Sequence, residues 1–234
     1  MISVLEQILD TSLASLRNHA ELLDIEQAVR GLDSLTELQF HQLVEQGFRD
    51  AGFGVNREAH YPSDGDAYTN ANHRQRCDFA LSLNPDIQLH DPVIEMHQLA
   101  LAQDTLFAGV PQSSPDPSEI CMPEDAMWIE IKACAQHAYR DGVPGPNAQF
   151  GSELIKGLQT DICKLSADPR IWHGCALVIL FTESEKVALH DLNHALRVCL
   201  DQNLPIRSPL IGSQSITDRA NNGCVTIAIF PVSI

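Results

Sequence analysis

Basic residues are scarce in this chain. Fifteen Lys and Arg stand against 31 Asp and Glu over 234 residues, a formal net charge of −16. No Lys or Arg occurs between Arg76 and Lys132. Such a balance favours solubility and argues against a broad, non-specific nucleic-acid surface. Long apolar runs are also absent. The longest, CALVILF at 175–181, has strand length and falls far short of the roughly 18 residues of a membrane span. The opening MISVLEQILD lacks a basic segment ahead of an apolar one, so no secretory leader is expected. Neither a Gly-rich phosphate loop nor a G-x-S-x-G nucleophile elbow is found. Seven cysteines lie scattered at 77, 121, 134, 163, 175, 199 and 224. An odd number without framework spacing reads as reduced thiols, and the expected location is cytoplasmic.

What is present suits one domain spanning 1–234. At 44% hydrophobic residues the chain can bury a full core. Residues 3–30 show helical spacing through Leu5, Ile8, Leu13, Leu16, Leu22, Leu23 and Ala28. A second helix, with Asp33 or Ser34 as its cap, carries Leu35, Leu38, Leu43, Val44, Phe48 and Ala51 and stops at Gly52. Strands are expected at 53–62, 74–83 and 126–134. After a Gly/Pro-rich loop at 142–151, Ser152 would cap a helix with Leu154, Ile155, Leu158, Ile162 and Leu165 on its inner stripe. HGCALVILFTES reads as a strand buried on both faces. EKVALHDLNHALRVCLDQ reads as an amphipathic helix and GCVTIAIFPVSI as a last strand. The order α-α-β-β-β-α-β-α-β implies an α/β fold, a mixed sheet covered by helices. No internal repeat is found.

Residues 82–125 interrupt this rhythm. They hold six of the thirteen prolines and eight acidic residues. Asp91-Pro92 would start a short helix to about Phe107, and 109–125 reads as loop. The segment is expected to be an insertion between two core strands. Beside a phosphate-binding cleft, its negative charge would either gate access or dock a basic partner protein. A solvated loop with a short packed helix is the simpler reading.

The chemistry starts at AMWIEIKACAQ, 126–136. Glu130 and Lys132, two apart on a strand, share a face with Trp128, while Ile129 and Ile131 point to the opposite, core face. Taken alone, this pattern also fits a surface ion pair on an edge strand. The neighbouring strand RCDFAL carries Asp78, a residue disfavoured in strands, with Cys77 and Phe79 on the face opposite to it. Two converging carboxylates repel unless a divalent cation lies between them. Mg²⁺ is hard, binds oxygen and keeps several waters. A nearby lysine can orient one of these, or deprotonate it as the neutral amine, which suits in-line attack on a phosphodiester.

These residues resemble the PD-(D/E)xK superfamily, the restriction-endonuclease-like nucleases. The resemblance rests on RCDFAL with Asp78, on MWIEIKA with Glu130 and Lys132, and on TELQFHQLVEQGFRDAGFGVNREAHYP, where Glu37 lies on the helix before the first strand. ELIKGLQTDICKL resembles the helix after the Lys strand, and the αβββαβ order agrees over about 33–185. Cys77 stands where the family pattern has proline. The resemblance implies a nuclease, acting on DNA, with Mg²⁺ as cofactor and Mn²⁺ able to substitute. Asp78 and Glu130 would hold the metal with the Ile131 carbonyl, and Lys132 would position the attacking water. Glu37 would join directly or through water; otherwise it is an ordinary first-turn Glu. Arg57, Arg74, Arg76, Arg140 and Lys156 are the candidate phosphate contacts, with Gln159 and Lys164 behind them. Asp161 falls among the apolar positions of its helix and would need a partner if buried. The alternative function is a non-catalytic module of the same fold whose acidic surface engages a basic protein.

Two zinc patterns are weaker. His190 and His194 are spaced i, i+4, but Asp191 stands where a metalloprotease helix needs Glu. Cys134 and His137, with Cys77 or Cys121, match no familiar zinc spacing.

Overall fold

A computed structural model describes residues 2–65, 75–96 and 120–233 of the protein. Its centre is a six-stranded mixed sheet in the order β1-β2-β5-β8-β10-β9. The strands are β1 (Gly54–His60), β2 (Arg76–Ser82), β5 (Met127–Ala135), β8 (His173–Thr182), β9 (Leu210–Ser215) and β10 (Cys224–Val232). The first three form an antiparallel meander, and β8 then pairs parallel to β5. A parallel pair needs a crossover, supplied here by α3 (Phe150–Ala167).

Helices cover both faces. On one side α1 (Ile2–Ile25) and α2 (Glu37–Asp50) pack Leu5, Ile8, Leu16, Phe40, Val44 and Phe48 against Phe79, Ile129, Ile131 and Leu177. On the other, α3 and α4 (Glu185–Asp201) pack Leu154, Leu158, Ile162, Leu165 and Leu192 against Trp128, Ala176, Val178 and Phe230. Strand β8 lies between these layers. Its residues Gly174 to Thr182 are buried, as a near-continuous apolar strand requires.

Several boundaries differ from expectation. Helix α1 ends at Ile25 rather than near residue 30, because Gln27 takes a left-handed φ of 53°. Thr36, not Asp33 or Ser34, caps α2. Its hydroxyl accepts from the Gln39 N–H, and the Gln39 side chain accepts from the Thr36 N–H. This reciprocal box satisfies two otherwise orphaned donors. Residues 32–34 form a 3₁₀ turn. Helix α3 begins at Phe150, before Ser152, whose hydroxyl bonds back to the Gln149 carbonyl. Part of the expected loop is a hairpin, β6 (His137–Arg140) and β7 (Val143–Pro146). Asp141 and Gly142 turn it with φ of 51° and 81°, the left-handed pair that a two-residue hairpin requires.

The described ends of the insertion are anchored. Short strands β3 (Gln88–Leu89) and β4 (Ile120–Cys121) pair in parallel. Asp91 caps the turn after it by accepting from the N–H groups of Val93 and Ile94, and it also bonds His60 at 2.7 Å. The expected continuation of that helix to about Phe107 and most of the expected loop lie outside the described residues. No described helix is long and apolar enough to cross a membrane.

Candidate active site

The site begins where β2 leaves β5. Their ladder covers only Phe79↔Ile129, Ala80↔Trp128 and Leu81↔Met127. Beyond it Ile131, still paired with Leu177 of β8, has no ladder partner on β2, and the Asp78 carboxylate takes its N–H, Oδ2 accepting at 2.7 Å. The alternation expected for β2 breaks here. Cys77 joins the α3 side of the sheet and Phe79 the α2 side, although they are two residues apart and were expected to share a face. Across the ladder the same break falls at Glu58, between Arg57↔Phe79 and Ala59↔Cys77. Glu58 takes a left-handed φ of 49°, uncommon for any residue with a Cβ. The paired kink places Asp78 in the gap between strands instead of over one face.

Glu130 points to the α3 side with Trp128, as the period of two predicts. It is 3% exposed. Its Oε1 accepts from the Tyr61 hydroxyl and from Lys164 Nζ at 3.4 Å. Lys164 also reaches Asp161 Oδ1 at 3.2 Å, so the buried Asp161 has the partner it needs. Burial pushes the Glu130 carboxyl up to about 8, and the charge of Asp78 adds to this; the Tyr61 hydrogen bond and Lys164 oppose it. Burial likewise raises Asp161, against the pull of Lys164. At Lys164 burial works downward, but the two carboxylates outweigh it and hold the ammonium above its ordinary range.

Lys132 Nζ donates to Glu37 Oε2 at 2.6 Å, which ties β5 to the first turn of α2. Burial lowers this ammonium, and the Glu37 hydrogen bond and charge more than restore it. The Lys132 stem runs across α3 at Gly157. A Cβ built on Gly157 would meet Lys132 Cδ at 2.9 Å. A glycine inside a helix costs up to about 1 kcal/mol relative to alanine, and here it permits this close approach. Gly157→Ala is therefore expected to preserve or raise stability while displacing Lys132. Paired thermal-melt and activity measurements check this: lost activity with an unchanged or higher Tm is the expected pattern.

The buried Glu130 also makes a pH prediction. Its value in the folded chain lies near 8, against an ordinary 4.5. Between the two, the folded state holds a proton that the unfolded state has lost, so metal-free stability falls as pH rises through this window. In Glu130→Gln the fall should be shallower. Equal slopes of Tm against pH in the two proteins would remove the basis for the raised value.

The sequence-derived candidates divide. Asp78 accepts the Ile131 N–H, Lys132 bonds Glu37, and Glu130, which feels the charge of Asp78, bonds Lys164, which also bonds Asp161. The Gln159 amide nitrogen is buried without a partner among the described residues. Lys156, Gln159, Thr160, Cys163 and Lys164 line an open depression on α3. Arg57 does not offer a free charge, since its Nη1 pairs with Glu45 at 3.2 Å. Arg76 donates to the Glu58 carbonyl at 3.2 Å. Arg140 is exposed on the hairpin and Lys156 exposed on α3. Arg74 lies outside the described residues. The zinc patterns gather no ligand set among the described residues: exposed His190 pairs with Asp191, and neither Cys134 nor His137 joins a metal-sized cluster. Tyr61 is the site residue that periodicity misses. It lies inside the strand expected at 53–62 but just past the observed β1, and only its contact with Glu130 marks it.

No family model, curated protein or solved structure matches this chain.

Proposed function

We propose that the protein is a Mg²⁺-dependent nuclease of the restriction-endonuclease-like, PD-(D/E)xK class that hydrolyses phosphodiester bonds in DNA. One observation carries this reading. An Asp on one strand accepts the backbone N–H between the Glu and Lys of a Glu-x-Lys on the next, where their ladder ends, and a helix-borne Glu37 bonds the lysine. The run α2-β1-β2-β5-α3-β8, with an antiparallel meander followed by a parallel strand, is the αβββαβ order that this class implies.

The donor set suits a hard divalent cation. Among the described residues, the hydrogen bonds to the two carboxylates go to Asp78 Oδ2 and Glu130 Oε1. One oxygen of each is left over. The charge of Asp78 adds to the cost of ionising Glu130, which a cation between them would relieve. Asp78 and Glu130 would hold Mg²⁺, which supplies charge neutralisation and an acidified water. The Ile131 N–H fixes the Asp78 carboxylate. Tyr61 and Lys164 fix that of Glu130. Lys132, held as an ammonium and steered by Glu37, would orient the attacking water. Lys156, Gln159 and Lys164, which line the depression on α3, offer polar groups for a phosphate chain.

The test is cleavage of single- and double-stranded DNA by purified protein with Mg²⁺. Activity should vanish with chelator and fall by about 10²-fold or more in Asp78→Asn and Glu130→Gln. Absence of Mg²⁺ binding together with absence of cleavage would move the account to the second reading. That reading, a non-catalytic module engaging a basic protein, draws on the net charge of −16 and on the engagement of Arg57 by Glu45, which leave little free positive charge beside the cleft.

A further inference from the structure

We propose a second cation site on the α2 side of the same strand gap, formed by His41, Glu58 and Asp78 and suited to a borderline first-row divalent ion such as Zn²⁺ or Co²⁺. One ligand atom from each of these side chains lies within 4.8 Å of the other two. The three come from three elements, α2, β1 and β2, so the grouping is a product of the fold and not of a local acidic run.

His41 carries the argument. It is 5% exposed, and both ring nitrogens are buried with no hydrogen-bond partner among the described residues. A buried imidazole left this way loses the hydrogen bonds its nitrogens would make to water. Its ring is held edge-on against Phe79, centroids 5.6 Å apart. That contact aims Nε2 at Asp78 Oδ2, 3.8 Å away. This is too long for a hydrogen bond. It does fit two ligands of one ion bonded at about 2.0–2.2 Å each. Asp78 Oδ2 already accepts the Ile131 N–H, and a carboxylate oxygen has lone-pair capacity for a further partner. Glu58 faces Asp78 across the β1–β2 ladder at the kink, and its exposed carboxylate can close onto an arriving ion.

The chemistry differs from that of the Asp78–Glu130 site. An imidazole nitrogen with two carboxylate oxygens selects borderline ions over Mg²⁺, which prefers oxygen alone. Asp78 belongs to both places, so an ion at His41 bears directly on the cleft. The Co²⁺ site itself does not depend on the nuclease reading.

The experiment titrates metal-free protein with Co²⁺, followed by calorimetry and visible absorption, in a Cys163→Ser background that removes the one exposed thiol. The expected result is a saturable site whose affinity falls tenfold or more in His41→Asn and in Glu58→Gln, and falls far less in Glu130→Gln. Glu58 is exposed, so its variant remains informative if His41→Asn fails to fold. Unchanged Co²⁺ affinity in Glu58→Gln, or a thiolate-to-cobalt absorption band, overturns the proposal. A parallel Mg²⁺ titration separates the two sites, because Mg²⁺ binding should depend on Glu130 and not on His41. Loss of the Mg²⁺ result alone therefore counts against the nuclease reading and not against this site.

Discussion

Lys132→Met is expected to lower the rate of DNA cleavage by about 10²- to 10⁴-fold while leaving Mg²⁺ affinity within a small factor of the parent. Proton transfer and water orientation by a positioned side chain contribute in that range. Lys132 touches Glu37 and the surface of α3, whereas the carboxylates that would hold the metal are fixed by the Ile131 N–H, Tyr61 and Lys164. Removing the ammonium frees a Glu37 side chain that is 45% exposed, so the stability cost should be small. The loss should appear in kcat, since it removes an interaction made in the transition state. Single-turnover kinetics beside calorimetric Mg²⁺ binding check this. A Met variant that cleaves at the parent rate would strip Lys132 of any chemical role.

Trp128→Ala is expected to cost about 3–5 kcal/mol of stability, the range for truncating a fully buried large aromatic. Trp128 is among the largest side chains buried in the molecule. It fills the layer between the sheet and α3, stacks on Tyr61 with centroids 6.3 Å apart, and donates its indole N–H to the Pro123 carbonyl at 2.9 Å. The truncation also removes the surface that holds Tyr61 against Glu130, so activity should fall even at temperatures where the variant stays folded. Trp128→Phe keeps an aromatic ring and loses the hydrogen bond, and should cost less. Urea unfolding separates the cases. A Trp128→Ala loss below about 1 kcal/mol would mean that this layer is not packed as described.

Periodicity made much of this architecture legible. Leu154, Leu158, Ile162 and Leu165 mark the buried stripe of α3, and the apolar run at 175–181 marks the strand buried on both faces. Glu130 and Lys132 could be placed on one face because β5 is regular through that stretch. Asp161 stood out as a carboxylate in an apolar stripe, and its burial beside Lys164 gives the reason. The kink at Asp78 was not legible. Alternation is a property of an unbroken ladder, and here two paired strands break together, through a left-handed Glu58 that no residue type signals. The Thr36–Gln39 box was present in the sequence but competed with Asp33 and Ser34, which sit in the preceding turn. Strand β9 was missed because LIGSQS is short and half polar. The 137–146 hairpin was missed because Gly and Pro obscured an Asp-Gly turn. Tyr61 and His41 show the limit most clearly. Each acts through a contact made far along the chain, with Glu130 and with Asp78 respectively, and neither has a local pattern to announce it.

The central claim is that Asp78 and Glu130 hold one divalent cation between them. A crystal soaked in Mn²⁺ and measured for anomalous scattering tests this most directly. The account predicts a peak at about 2.0–2.3 Å from one carboxylate oxygen of each residue, with Lys132 Nζ directed at a water on the ion. A well-diffracting soaked crystal with no peak touching Glu130 would contradict it.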